Sequence, residues 1–277
     1  MALQNSTIAF IGSGVMAEAM IKGLLNQKLL NGDQIIAAEP REERGHELVA
    51  RYGLRFTQHN AEAARQADIL VISTKPQVMG EVARSLDGAG KDASLVLSIL
   101  AGVRISALAR AIGNKSVVRA MPNTPAQIGK GITVWTATPD VAQSQRDQAR
   151  ALLGALGEEL YMADEKFLDM ATALSGTGPA YVFMFMEALI DAGVHMGFSR
   201  HDAERLVLQT IRGSVDYAIQ SNMHPATLRN QVTSPGGTSA AAIYEMEKGG
   251  LRTVIADAIW AAFHRSVELG DLQEKQE

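Results

Sequence analysis

The sequence contains no cysteine, which excludes disulfide bonds, thiolate catalysis and cysteine-ligated metal sites. Its six histidines are scattered, and none forms the i, i+4 pair of a zinc-binding helix. Neither a GxSxG nucleophile elbow nor a phosphate-binding P-loop motif occurs. We therefore expect no metal site, and any chemistry has to come from other residue types.

Strong charge of either sign is also lacking. The 277 residues carry 26 basic and 30 acidic side chains, which gives a net charge of −4. Such a balance disfavours a nucleic acid or a membrane surface as the main partner. The most apolar stretch, residues 180–190, is too short to span a bilayer and includes Glu187, and no signal-peptide pattern precedes Thr7. These absences predict a soluble, cytoplasmic protein.

The first half of the chain contains a dinucleotide-binding pattern. Residues 7–11 (TIAFI) predict a short buried strand, which runs into Gly12-Ser13-Gly14 and then into a helix with Ala17 in its first turn. A second predicted strand, residues 34–38, ends at Glu39. This order matches the GxGxxA fingerprint, in which the glycines permit a tight turn and a close approach to phosphate, and the acid follows the second strand.

Further strands are predicted at residues 68–73, 94–99 and 116–120, with amphipathic segments between them. This alternation predicts a Rossmann-like, doubly wound parallel sheet, whose ligands lie beyond the carboxyl ends of the strands. At those ends, Asn123 stands between two prolines, which favours a contact with cofactor or substrate. Lys75 either meets a phosphate or ribose of the cofactor or is simply solvated.

The preferred cofactor stays open at this point. Glu39 favours a free ribose 2′-hydroxyl and would repel a 2′-phosphate. Arg41 and Arg44 follow within one helical turn, where they either neutralise such a phosphate or form a solvated helix face.

The second half changes character near Asp164, after which helical spacing replaces β-rich runs. We predict a dinucleotide-binding domain over residues 1–163 and an all-helical domain over residues 164–277. Residues 181–186 (YVFMFM) are apolar all round, so their helix needs cover on several sides. So few helical residues cannot supply that cover alone, and we expect a dimer formed through this half.

The loop at residues 232–239 (VTSPGGTS) is the most informative segment for function. Pro235 and the two following glycines predict a tight turn that opens a helix, and the helix start offers free N–H groups to a small anion. Thr238 and Ser239 add hydroxyl groups. An ordinary loop with an N-capping hydroxyl is the equally weighted alternative.

Taken together, these segments resemble the pyrroline-5-carboxylate reductases. The resemblance covers essentially the whole chain, and it rests on FIGSGVMA near the N-terminus, STKPQ from Ser73, SILAGV from Ser98, RAMPNTPA from Arg119, SGTGPAY from Ser175 and VTSPGGTS from Val232. It implies hydride transfer from a reduced nicotinamide to the C5=N carbon of 1-pyrroline-5-carboxylate, which yields L-proline, the last step of proline biosynthesis.

The resemblance also implies the roles of individual residues. Ser239 is expected to be the catalytic group that hydrogen-bonds the ring nitrogen, although family members commonly have threonine there. The implied substrate-binding residues are Val232, Ser234, Gly236, Gly237, Thr238 and Ser239. The cofactor-binding residues, including Glu39 and Arg41 from the pattern above, are Gly12, Ser13, Gly14, Val15, Met16, Glu39, Arg41, Asn60, Thr74, Lys75, Pro76, Ala101 and Asn123.

Family members usually use NADPH and some accept NADH, and Glu39 leaves NADH open here. The resemblance further implies a homodimer through the helical domain and, as in many members, a homodecamer.

Two other functions are weighed against this one. A β-hydroxyacid dehydrogenase also joins a Rossmann domain to a helical one, but its chemistry needs a lysine base on the first long interdomain helix, and residues 178–195 contain no lysine. A non-catalytic nicotinamide-binding regulator would have no use for the anion-binding loop and its hydroxyl groups.

Overall fold

The computed structural model describes residues 2–274, which form two compact units. The first unit consists of residues 2–178 together with residues 262–274, and the second consists of residues 179–261. The units divide at residue 178, and residues 262–274 of the last helix belong with the first of them. The predicted division into functional domains between residues 163 and 164 stays a prediction.

The first unit is built on one eight-stranded sheet with the order β3-β2-β1-β4-β5-β6-β7-β8. Strands β1 to β6 are mutually parallel, β7 is antiparallel to β6, and β8 is parallel to β7. The chain reverses its direction of winding between β1 and β4, which is the place where this fold binds ligands. The strands are β1 Ile8–Ile11, β2 Ile35–Ala38, β3 Arg55–Thr57, β4 Ile69–Ile72, β5 Leu95–Ser98, β6 Val117–Met121, β7 Gly131–Ala137 and β8 Gly157–Tyr161.

Helices cover both faces of this sheet. On one face Phe10 and Val71 pack with Met20 and Leu24 of the first helix, and on the other Ile11 and the later helices form a second apolar layer. All four residues of β1, β2, β4 and β5 are buried, as expected for parallel strands covered on both sides. The helices of this unit are α1 Val15–Asn26, α2 Glu42–Tyr52, α3 Asn60–Arg65, α4 Met79–Ser85, α5 Ile105–Ile112, α6 Gln143–Gly154 and α7 Lys166–Ala171, and a π-helical turn follows at Thr172–Gly176.

The doubly wound parallel sheet is confirmed, and the five predicted strands agree with the observed ones to within one residue at each end. The sequence analysis did not predict β3, β7 or β8. Strand β3 has three residues, and β8 lies at the sheet edge, where only alternate side chains are shielded. Strand β7 reverses direction after β6 and so departs from the β-α-β alternation.

The all-helical character of the second half is also confirmed, since the described residues beyond β8 contain no strand. Ser199 caps α9, because its Oγ accepts the N–H of Asp202 at 3.1 Å. The remaining helices are α8 Gly178–His195, α9 Arg200–Ser221, α10 Pro225–Gln231, α11 Thr238–Lys248 and α12 Leu251–Glu274, the last of which has residues in both units.

Helix α8 leaves much of its apolar surface uncovered within one chain. Met184 is 74% exposed and Phe183 is 60% exposed. The segment Lys166–His195 is long and apolar enough to cross a membrane by length and composition alone, and a single such segment is weak evidence. It includes the apolar stretch at residues 180–190 from which the sequence analysis judged membrane spanning.

Candidate active site

The glycine-rich turn after β1 is fixed by contact with the loop after β4. Gly12 has φ of 86°, and a Cβ atom there would lie 2.6 Å from Cγ2 of Thr74. The Ser73 hydroxyl donates a hydrogen bond to the carbonyl of Gly12 at 2.7 Å, and the Ser73 N–H donates to Ile11 at 3.0 Å. Only glycine satisfies both the backbone conformation and the close approach, so the two loops hold each other in place.

The N-terminus of α1 points out of this turn. Its first hydrogen bond runs from the N–H of Glu18 to the carbonyl of Gly14 at 2.9 Å, so the three preceding N–H groups have no partner in the helix. Gly14 is the N-cap residue, and a Cβ atom added to it would meet no described atom within 4 Å. The helix start therefore offers N–H donors, the positive end of its dipole and open space, which suits a diphosphate.

Two buried hydroxyl groups stand at the same edge. Within residues 2–274, Ser13 Oγ and Thr74 Oγ1 are buried side-chain atoms that have no hydrogen-bond partner. Burying an unpaired hydroxyl costs free energy, and a polar ligand in the crevice would remove that cost. The donor set at the ends of β1 and β4 thus fits a dinucleotide.

Glu39 at the end of β2 is turned inward. The residue is 4% exposed, and its Oε2 accepts the N–H of Ser13 at 3.2 Å. Its Oε1 accepts both the N–H of Arg41 at 3.3 Å and Nε of the same residue at 2.7 Å. Burial alone would raise the pKa of Glu39, but the hydrogen bonds from Arg41 and Ser13 outweigh it and hold that pKa below its usual value.

Two arginines border the cavity next to Glu39. The cavity has a volume of about 380 Å³ and is lined by Arg41, Glu43, Arg44 and Glu47. The Arg41 side chain is 68% exposed, whereas Arg44 is mostly buried and forms ion pairs with Glu18 and, at 2.7 Å, with Glu47. Arg41 is therefore the arginine with the greater freedom to turn toward a ligand.

The other predicted cofactor-binding residues lie partly at the carboxyl ends of strands and partly on helices. Thr74, Pro76 and the exposed Lys75 follow β4, and the exposed Ala101 follows β5, so all four lie at the carboxyl edge of the sheet. Asn60 begins α3, where its Nδ2 donates to Ser85 at 2.8 Å. Val15 and Met16 form the first turn of α1.

Asn123 has a structural role that the sequence analysis did not expect. Its Nδ2 donates to the carbonyl of Ser175 at 3.1 Å, within the π-helical turn, and its Oδ1 accepts the N–H of Ile132 at 3.0 Å. The side chain thereby ties the loop after β6 to two other segments, and one N–H of its amide is left for a ligand.

The predicted substrate loop lies in the second unit, between α10 and α11. Ser234, Pro235, Gly236 and Gly237 form a turn in which the Gly237 N–H donates to the carbonyl of Ser234 at 3.1 Å. Proline at the second position and a glycine with φ of 70° at the third are typical of a type II turn. A Cβ atom on Gly237 would lie 2.5 Å from Ser234 Oγ, so a side chain there would require that hydroxyl group to move.

Helix α11 begins directly after this turn. Its first hydrogen bond runs from the N–H of Ala241 to the carbonyl of Gly237 at 3.2 Å, so the N–H groups of Thr238, Ser239 and Ala240 precede it. Thr238 is exposed, Ser239 is half-buried, and Val232 before the turn is 67% exposed. An anion at this helix start would meet two hydroxyl groups as well as the N–H groups.

The sequence analysis missed several residues that hold the loops at the carboxyl ends of the strands, which we call the cofactor edge. Ser73 is one, and the STKPQ segment already contained it. A second group is formed by Arg119, Glu165 and Asp169, in which Arg119 is 2% exposed and pairs with Glu165 at 2.6 Å and Asp169 at 3.2 Å. The spacing of the two acids on one helical face was the available signal.

The hydrogen bonds of Glu39 should make the free energy of unfolding depend on pH. Its native pKa lies below the ordinary value of 4.5, so the stabilisation is present above pH 4.5 and is lost as pH falls through the native pKa. We expect Glu39→Gln to lower the free energy of unfolding by about 1–3 kcal/mol at pH 7, because the charge on these bonds is lost. Denaturant unfolding between pH 7 and pH 3 should show the gap closing, with Glu43→Gln as the control. A gap of constant size across this range would contradict the assignment.

Comparison with known proteins gives a family match in each half of the chain. Residues 165–269 match the family model for pyrroline-5-carboxylate reductase dimerisation. Residues 7–102 match the model for the NADP oxidoreductase, coenzyme F420-dependent, family. The first match begins close to the predicted domain boundary, and the second covers the sheet edge described above.

Relatives match along nearly the whole length. A pyrroline-5-carboxylate reductase from Pseudomonas aeruginosa is 42% identical over 270 residues, which cover 97% of this chain and 98% of the relative. One from Synechocystis is 40% identical over 263 residues, which cover 95% of this chain and 98% of the relative. The crystal structure of Plasmodium falciparum pyrroline carboxylate reductase with NADP bound superimposes with a TM-score of 0.88 at 32% identity, and the alignment covers 96% of this chain and 98% of that one. The chain belongs to the pyrroline-5-carboxylate reductase family.

Proposed function

We propose that the chain reduces 1-pyrroline-5-carboxylate to L-proline by hydride transfer from NAD(P)H. The observation that carries this proposal is that one chain, similar to these reductases over 95% of its length or more, contains both a dinucleotide crevice and the turn before α11. The reaction requires a bound hydride donor, a bound substrate carboxylate and a proton at the ring nitrogen. The chain contains groups that can meet each of these requirements.

The first unit would hold the cofactor at the carboxyl ends of its strands. The N–H groups at the start of α1 bind the diphosphate, and the unpaired hydroxyls of Ser13 and Thr74 find polar partners on the bound dinucleotide. When bound, the reduced nicotinamide supplies the hydride. The chain contributes orientation, which is the larger part of catalysis when the acceptor is already electrophilic.

The loop at residues 232–239 would bind the substrate. The N–H groups of Thr238 and Ser239 and the dipole of α11 bind the carboxylate, while Val232, Ser234, Gly236 and Gly237 shape the turn that presents them. Gly237 is one of the implied substrate-binding residues, but its N–H already donates to the carbonyl of Ser234. The next N–H groups along the helix take its place in the proposal.

Ser239 would act at the reacting bond. In the protonated imine, hydride addition at C5 breaks the π bond of C=N and leaves the electron pair on nitrogen, so the product is the neutral amine and no further proton is needed. The Ser239 hydroxyl hydrogen-bonds this nitrogen and keeps the proton there during transfer. A strong acid–base pair is not needed, because a protonated imine accepts hydride readily.

We further propose that NADPH is preferred over NADH. Both carboxylate oxygens of Glu39 accept hydrogen bonds from the protein, so Glu39 is not presented to the ribose. The adjacent cavity contains the guanidinium group of the exposed Arg41, which would pair with a 2′-phosphate.

Self-association through the helical half follows from the dimerisation family match, and the apolar surface of α8 is the kind of surface that a partner copy covers. A homodimer that assembles into a decamer is our proposal for the finer state. We also propose a soluble enzyme of the cytoplasm, in which the apolar run at Lys166–His195 is covered by a second copy and not by lipid. Light scattering of the purified protein would measure the assembly directly.

The activity is tested by following absorbance at 340 nm with 1-pyrroline-5-carboxylate and with NADPH or NADH in parallel. Rapid oxidation that depends on the imine, with proline as the product, would establish the reductase. Tight NADPH binding without turnover on this imine would contradict the proposal and would favour another cyclic imine or a non-catalytic role.

Ser239→Ala should lower kcat/KM for the imine by about 100-fold, the usual lower limit for losing a positioned proton-handling group. The dissociation constant of NADPH should not change. Ser239→Thr is the matched control, since it keeps the hydroxyl and adds only a methyl group. Equal kcat and KM in the alanine variant and the wild type would remove Ser239 from the mechanism.

Arg41→Ala should lower kcat/KM for NADPH by about 10- to 100-fold, the range expected for a lost charge-assisted hydrogen bond of about 1.5–3 kcal/mol. The same variant should leave kcat/KM for NADH unchanged, because NADH has no 2′-phosphate. Arg150→Ala, which removes an exposed arginine from α6, is the control. A parallel loss with both cofactors would show that Arg41 supports the fold and not the phosphate.

A further inference from the structure

The last turns of α12 pack against the loop that follows β5. A Cβ atom on Gly270 would lie 3.1 Å from the carbonyl oxygen of Gly102, and one on Gly102 would lie 3.5 Å from Cβ of Leu269. Gly102 has φ of 74°, so the loop turns at the contact itself. Two glycines that face each other bring the helix and the loop backbones closer than side chains would allow.

Polar contacts fix the same surfaces on either side of the glycines. Asp271 forms an ion pair with Arg104, the N-cap residue of α5. One turn earlier, the buried Ser266 donates a hydrogen bond from Oγ to Oδ1 of Asp169 at 3.0 Å. The helix is therefore held at residues 266, 270 and 271.

The contact at Ser266 leads directly to the strand ends. Asp169 Oδ1 also accepts a hydrogen bond from the buried Arg119 on β6, at 3.2 Å. Arg119 donates to Glu165 Oε1 at 2.6 Å, and the same oxygen accepts the N–H of Ile105, the first residue of α5, at 2.7 Å. Arg119 thus joins α12, α7, β6 and the start of α5. A buried arginine with two carboxylate partners is costly to disrupt.

The loop at residues 101–104 contacts α12 at Gly102 and Arg104, and Ile105 directly after it bonds Glu165. Ala101 in this loop is one of the proposed cofactor contacts, and Asn123 follows β6 shortly after Arg119. Leu269 and Leu272 of α12 also line a cavity of about 460 Å³ together with Pro76 and Val103. The end of α12 therefore borders the loops after β4 and β5.

We propose that the last turns of α12 position the loop at residues 101–104 for NAD(P)H, with Gly270 and Arg119 as positioning residues. This inference rests on the proposed function only in assigning the loop to the cofactor. Glycine inside a helix costs about 1 kcal/mol relative to alanine, so helix stability alone would favour alanine at position 270. The close approach of the helix to the Gly102 carbonyl explains why position 270 is glycine.

Gly270→Ala separates a positioning role from a purely structural one. The added Cβ has to displace the Gly102 carbonyl by a few tenths of an ångström. We expect the dissociation constant and the KM of NADPH to rise about 5-fold, since small misplacements near a binding site have large effects. The KM of the imine and the melting temperature should stay the same, or the melting temperature should rise. Gly154→Ala on α6 is the matched control, because a Cβ there meets no described atom within 4 Å.

Ser266→Ala provides an independent test, because it removes one hydrogen bond from the Arg119 network and adds no bulk. We expect a smaller rise of about 2-fold in the NADPH dissociation constant, in the same direction. Equal NADPH dissociation constants in the wild type, Gly270→Ala and Gly154→Ala would overturn the inference. Because this readout is binding, it stays informative if the wild type binds NADPH but fails to reduce the imine, a result that would contradict only the proposed reaction.

Discussion

The hydrogen bonds between Ser73 and the end of β1 are the interaction on which the cofactor edge depends. They join the loops after β1 and β4, the two strands between which the sheet reverses its winding. The absence of a side chain at Gly12 lets the loops approach, and its positive φ turns the chain toward α1. The direction of the α1 N-terminus follows from this arrangement, and so does the position of its free N–H groups. A change in the Gly12–Ser73 contact would therefore shift the start of α1 and its free N–H groups.

A different constraint governs the second unit, in which apolar surface exceeds what one chain can cover. Large side chains such as Met184, Ile219 and Val254 are mostly exposed within the chain. Exposed apolar area of this size is costly in water, and a second copy of the same surface is the simplest cover. The match of this region to a dimerisation family agrees with that physical expectation. A partner copy would cover this surface, and the turn before α11 belongs to the same unit.

Sequence patterns were sufficient to predict the structural features that depend on neighbouring residues alone. Buried apolar runs located five strands, and the glycine spacing located the turn at Gly12. They were not sufficient where the outcome depends on partners far along the chain. Arg119 pairs with a carboxylate 46 residues away, and Asp169 bonds Ser266 at a separation of 97 residues. Asn123 follows β6, and its predicted contact with a ligand stays a prediction, but its bonds to Ser175 and Ile132 follow from the packing of three segments and have no local signature.

Glu39 shows why a motif residue has to be interpreted with its partners. An acid after the second strand usually indicates a free ribose 2′-hydroxyl, because an outward carboxylate accepts its hydrogen bond. Here the carboxylate accepts the backbone N–H of Ser13 and both the backbone N–H and the Nε–H of Arg41, so three of its roughly four acceptor positions are used inside the protein. The same bonds hold its pKa low, so the group stays charged while it faces inward. The acid thereby anchors the glycine-rich turn, and the exposed guanidinium group of Arg41 lines the cavity next to it together with Glu43, Arg44 and Glu47.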